Sequence, residues 1–229
     1  MIIGKRWGIL AETLEILKNE LGKSTLDTLS MIGSAIFLSI TVGSFIGLIL
    51  YLTSNQLFLK NKIINSTVGL LVNVVRSLPF VILLVLLIPF TKKLVGTSIG
   101  PEAAAVPLSI ASIAFFARLA EGAFSEVDKG VLEAAIASGA KLGLILKDVL
   151  IVEALPGLIR GVTVTLVSLI GYSAMAGIVG GGGIGDLAIR FGYYRYETGV
   201  MAATVLILVL LVQGIQFAGD KLAVKFSKR

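Results

Sequence analysis

Few residues of this chain are equipped for chemistry, and they sit in apolar surroundings. Arg76, in Arg76-Ser77-Leu78-Pro79, is a cation inside a hydrophobic segment. Gly161, Thr165, Ser168, Tyr172 and Met175 follow steps of four, three, four and three, which puts all five on one helix face. Lipid does not reward a hydroxyl-bearing face, so this one must meet other helices or a water-filled path. Helix packing accounts for Gly161 and Ser168, whereas Tyr172 and Met175 are bulky and suit a constriction equally well. For Arg76 the alternatives are a structural pairing with a carbonyl or carboxylate and contact with such a path. An arginine at a helix centre costs about 2.5–3.5 kcal/mol on insertion scales. Each Leu, Ile, Val or Phe returns about 0.3–0.6 kcal/mol. Insertion still wins, with the guanidinium turned to protein or water.

What is missing narrows the chemistry further. Histidine and cysteine are both absent. That removes Ser-His and Cys-His nucleophiles, the usual zinc ligands and the best general base near neutral pH. A serine–lysine pair would need a lysine at the centre of a span, and none stands there. Gly180, Gly182 and Gly185 formally satisfy GxGxxG, but the dinucleotide fingerprint needs a preceding strand and a βαβ unit. Here the glycines follow an apolar helix and read as a flexible turn. No GxxxxGK[ST] occurs either. No catalytic, cofactor-binding or metal-binding residue is expected in this chain, and it reads as a non-enzyme.

The elements that must position these residues are membrane helices. Of 229 residues, 56% are hydrophobic and 15% charged, and mean hydropathy is +0.97; a soluble domain carries about 25% charged residues. A span needs about 20 apolar residues. Five stretches qualify, at about 25–52, 66–90, 103–120, 158–179 and 199–218, giving an all-α polytopic membrane protein. Ser39, Gly43 and Gly47 on the first span are spaced for close helix approach. Pro79 should bend the second span and free a carbonyl near Val75. Residues 1–23 form an amphipathic helix, with Trp7, Leu10, Leu14, Leu17 and Leu21 on its apolar stripe. It either lies in the membrane interface or packs on the membrane domain. Phe191, Tyr193, Tyr194 and Tyr196 suit an interfacial aromatic belt.

The net charge of +6 sits in loops and ends, where membrane proteins keep it, so no nucleic-acid partner is expected. The positive-inside rule places the 121–157 loop and the basic 221–229 tail in the cytoplasm and hence the N-terminus outside. Lys5, Arg6, Lys18 and Lys23 pull the other way. No signal peptide is apparent at the start of the sequence.

The 121–157 loop is itself patterned. Glu133 to Pro156, EAAIASGAKLGLILKDVLIVEALP, reads as two short helices joined by a turn at Gly139. A helix-turn-helix between spans three and four, opening on Glu133-Ala134-Ala135 with Gly139 after it, resembles the cytoplasmic loop of ABC importer permeases. RSLPF at 76–80, IPFTKKLVGTSIG at 88–100, EALPG at 153–157, GYSAMAG at 171–177 and IQFAGD at 215–220 resemble the methionine branch of that family. The resemblance runs from about Ser24 to Asp220. It implies the type I importer permease fold in a prokaryotic cell membrane. It also implies a second copy of the chain, two cytoplasmic ATPase subunits holding ATP and magnesium, and an extracytoplasmic lipoprotein delivering methionine. Glu133, Ala134, Ala135, Gly139 and Lys141 would then couple to the ATPase, with the small side chains seating the helix in a groove. Met175, Tyr172, Ser168 and Arg76 would belong to the path or its gate. The family's loop usually carries proline thirteen residues after the glycine; Val152 stands there, so the second loop helix is expected to run further.

Overall fold

The computed structural model describes residues 2–227, with side chains from residue 11 onward. Trp7, Leu10, Lys5, Arg6, Lys228 and Arg229 figure in the expectations above through their side chains, and these lie outside what is described. Among the described residues every regular element is a helix: α1 (Ile2–Leu38), α2 (Ser44–Ser54), α3 (Lys62–Ser77), α4 (Phe80–Leu86), α5 (Ile88–Val95), α6 (Pro101–Ser125), α7 (Lys129–Ala137), α8 (Leu142–Leu144), α9 (Ile151–Ile178), α10 (Gly183–Leu187) and α11 (Thr198–Phe226). Single π-helical stretches at Ser39–Gly43, Ile145–Leu150 and Ala188–Tyr193 join α1 to α2, α8 to α9, and extend α10.

Three of these helical runs are long and apolar enough to cross a membrane, and the count reaches five when two broken pairs are each taken as one span. The helix ends follow local chemistry. Asn61 caps α3 by accepting from the amides of Ile63 and Ile64, each at 3.1 Å. Proline opens α6. Gly96, at φ 84°, closes α5 in the left-handed conformation.

One boundary differs from expectation and two follow it. Residues 1–23 are not a separate helix, because α1 continues unbroken into the first span. The Thr25 and Thr28 hydroxyls donate to the carbonyls of Leu21 and Ser24 at 2.8 and 3.0 Å, so these residues stay helical instead of capping a new start. The second span bends at Pro79 as expected, by 104°, sharply enough to break it into α3 and α4. Leu78 and Pro79 are both extended, at ψ 130° and 136°, because a residue before proline is driven out of the helical region. The expected free carbonyl at Val75 is taken, accepting from the Leu78 amide at 3.3 Å. The second loop helix does run further, as Val152 in place of the family's proline implies: it passes through Pro156 and continues from Leu142 to Ile178. The tail is likewise helical to Phe226.

Contacts divide the chain into two compact units. One comprises the residues up to Ala35, Pro79–Ser109 and Val167–Gly214. Within it the N-terminal part of α1 packs on the segment after the glycines. Ile16, Leu17 and Leu21 lie against buried Leu187, Phe191 and Val200. Arg190 bonds Glu20 at 2.9 Å and Asp186 at 3.2 Å, and Thr28 accepts from the Ile184 amide at 2.9 Å. Of the two placements open for this stretch, the described part is packed. The other unit comprises Ile36–Leu78, Ile110–Leu166 and Ile215 onward. Here the small residues of the first span meet α6. Ser39 donates to the Ser112 carbonyl at 2.9 Å, and a Cβ on Gly47 would stand 2.6 Å from the Ala117 carbonyl.

Candidate functional site

The patterned loop is built on a bed of its own chain. Asp128 accepts from the Gly130 amide at 2.7 Å and starts α7. Leu132 is fully buried, in a cluster with Tyr51, Phe116, Phe124, Ile145 and Leu150. Ala135 packs on the same cluster. Of the expected coupling residues, Glu133, Ala134, Gly139 and Lys141 are exposed, while Ala135 turns inward. Val131 and Ile136 are also on the outside, 44% and 41% exposed. Sequence reasoning missed both. Their signal was an α7 apolar on more than the one face its core contact needs.

Gly139 ends α7 at φ 77°. Its amide donates to the Ile136 carbonyl at 3.0 Å, and the Ala140 amide donates to Ala135 at 3.2 Å. An added Cβ there would meet nothing within 4 Å. Backbone conformation therefore demands this glycine, independently of any close approach within the chain. After it the chain re-enters helix at Leu142 and continues through α9. Near the base of α9, a Cβ on Gly157 would lie 2.9 Å from the Ala123 side chain, so the glycine of EALPG lets α9 close on α6.

The polar stripe of α9 changes character along its length. Gly161 faces the Phe116 ring, where a Cβ would stand 3.2 Å away. Thr165 is fully buried and donates to the Gly161 carbonyl at 2.8 Å. These two pack. Ser168 is half-buried, and Tyr172 stacks on Phe80 with centroids 4.8 Å apart and planes 13° from parallel. Met175 is 42% exposed. Phe80 was not foreseen as Tyr172's partner, although it directly follows the Pro79 break. The glycine segment beyond α9 is a tight packed turn, with Gly180, Gly182 and Gly183 at positive φ. On Gly183 a Cβ would lie 2.7 Å from the Thr28 hydroxyl, so the turn is held and not a loose hinge. Of the expected aromatic belt, Tyr193, Tyr194 and Tyr196 are exposed, but Phe191 is buried and belongs to the core.

Of the two alternatives open for Arg76, structural pairing within the chain is met by a different arginine, Arg118. It bonds Glu121 at 2.7 Å, the Gly69 carbonyl at 3.1 Å and Asn73 at 3.0 Å. Arg76 is exposed and makes no hydrogen bond, ion pair or ring contact among the described residues.

Comparison with known proteins extends this geometry. A family model for the binding-protein-dependent transport system inner membrane component matches residues 39–222. The Vibrio cholerae protein named "Probable D-methionine transport system permease protein MetI" is 48% identical over 206 residues, 90% of this chain and 92% of its own. The Bacillus subtilis "Methionine import system permease protein MetP" is 46% identical over 181 residues, 79% and 82% of the two chains. A solved inward-facing MetNI methionine ABC transporter superimposes with a TM-score of 0.88 at 43% identity, covering 91% of this chain and 96% of the other. A solved amino acid ABC transporter with histidines shares the fold at 18% identity and a TM-score of 0.75, covering 94% and 96%. The chain belongs to the family of binding-protein-dependent transport system inner membrane components.

Proposed function

We propose that this chain is the permease subunit of an ATP-driven methionine importer, carrying L-methionine with D-methionine and related derivatives as further cargo. The observation that carries this reading is identity of 48% over nine-tenths of the chain to a permease named for D-methionine transport. The chain is a transport subunit and not an enzyme; ATP and magnesium belong to a partner ATPase. A second copy completes the pathway, two ATPases flank it, and an extracytoplasmic lipoprotein delivers substrate.

The coupling follows from the loop. The outward side of α7, with Val131, Glu133, Ala134 and Ile136, seats in a groove on the ATPase, and Glu133 pairs with a basic residue there. Leu132 and Ala135 fix the inward side to the permease. The second arm of the loop is continuous with α9, the helix that carries Ser168, Tyr172 and Met175. Nucleotide on the partner thus biases an equilibrium between inward and outward openings. Tyr172 and Met175 gate the path. The 121–157 loop and the C-terminal end face the cytoplasm, and the N-terminus faces outside.

Proteoliposomes holding the permease with its ATPase and lipoprotein should take up methionine only when ATP is present. Failure to take up methionine would remove the substrate assignment. Uptake persisting without ATP but collapsing with an ion gradient would remove the class.

A further inference from the structure

Arg76 is a charged residue of the second span for which the described residues supply no partner. It lies fourteen residues beyond Lys62, where α3 begins, or about 21 Å along the axis at 1.5 Å per residue. Measured from Lys62, that is more than half the thickness of a hydrocarbon core of about 30 Å, in line with a place near the centre of the second span. At about 100° per residue, Arg76 falls within roughly 20° of Gly69 and 40° of Val72. Both of these are buried against neighbouring helices. The opposite flank of α3 carries Leu70, Leu71 and Val74, 52–63% exposed, and suits lipid. Arg76 therefore stands on the protein side of its helix, one turn beyond Asn73, with no partner among the described residues. An arginine at this depth needs an anion or strong acceptors.

Among the described residues no carboxylate pairs with Arg76. Neither α3 nor α4 contains an acid. Glu121 is held by Arg118 at 2.7 Å, Asp186 by Arg190 at 3.2 Å, and Asp27 and Asp220 stand near the ends of their spans. A second copy would bring the same set. An amino acid crossing the membrane brings what is missing, since its carboxylate fits the two parallel donors of a guanidinium. We propose that Arg76 binds the α-carboxylate of the transported amino acid within the membrane. This inference rests on the proposed function and names a contact within its path.

The test uses the complete reconstituted transporter with a diazirine analogue of methionine, reading cross-links on this chain by peptide mass. Two competitors separate the chemistry. The 2-hydroxy acid analogue of methionine keeps the carboxylate, and methioninamide loses it. The wild type should label, and the hydroxy acid should suppress labelling at least about tenfold better than the amide. Arg76→Met should lose labelling by a similar factor in a complex that still assembles, with Arg76→Lys between them. Should Arg76→Met fail to assemble, the comparison is made on Arg76→Lys, which must then label less than wild type. Labelling of the variants equal to wild type, or equal suppression by the two competitors, overturns the proposal. So does a wild type that transports methionine but is never labelled, and that result leaves the functional reading intact. A wild type that takes up no methionine overturns the functional reading, and this inference with it.

Discussion

At the residue scale, two glycines a turn apart show how differently the same side chain can be required. Gly139 has φ 77° with open space around it, while Gly143 has an ordinary backbone and equally open surroundings. Gly139→Ala should cost about 1 kcal/mol or more through strain alone, tilting α7 on its bed. ATP-dependent uptake should fall several-fold. Gly143→Ala meets no such strain and should instead stabilise its helix by about 0.5–1 kcal/mol. Uptake kinetics and thermal unfolding of both variants, measured together, check this contrast. Equal behaviour of the two would mean that the turn at Gly139 does not matter. Met175 poses a different question, because it is large, apolar and 42% exposed on the face whose earlier residues, Gly161 and Thr165, pack. Met175→Ala should raise ATP-independent leak of methionine from loaded proteoliposomes. Unchanged leak with unchanged transport would reduce Met175 to a packing residue.

At the element scale, α7 is held by little more than one buried side chain, which makes Leu132 the natural probe. Leu132→Ala removes a fully buried leucine from the cluster beneath the loop, a change worth about 2–5 kcal/mol in a packed core. The loop should detach while the spans remain, so the ATPase should no longer co-purify with a permease that still purifies as a membrane protein. Retained co-purification would show that the outward face alone suffices. Gly47→Val tests a different joint, pressing a branched side chain onto the Ala117 carbonyl. It should lower the unfolding temperature of the permease sharply. Much of this was legible in the sequence. The small-residue stripe of the first span, the turn at Gly139 and the stacked face of α9 all follow from spacing, because helical periodicity alone decides which residues share a face. Hydropathy does not report where a helix stops, so the fusion of the N-terminal stretch with the first span could not be seen, whereas Val152 in place of a proline did signal the longer second loop helix. The pairing of Arg118 was hidden for another reason. Pairing depends on which helices become neighbours, and Gly69 and Asn73 lie far from Arg118 in the chain.

At the scale of the whole molecule, sidedness is the property that charge counting left weakest, and contacts within each unit say which helix ends lie together. In one unit, Thr28 on α1 bonds Ile184, and the Gly100 amide donates to the Gly180 carbonyl at 2.9 Å. The start of the first span, the turn before α6 and the glycine turn therefore belong to one side. In the other unit, Leu57 and Phe58 pack with the cluster beneath α7. Phe226 and Ser227 line a cleft with Asp128 and Val131. The second set of ends therefore shares a side too. The natural absence of cysteine makes the test direct. Single cysteines at Thr97 and Tyr196 should react with an impermeant maleimide on intact cells. Cysteines at Ala137 and Ser227 should react only after permeabilisation. A complete inversion would place the coupling loop outside and defeat an ATPase docked there. A mixed result within either set would break the contacts that tie its ends together.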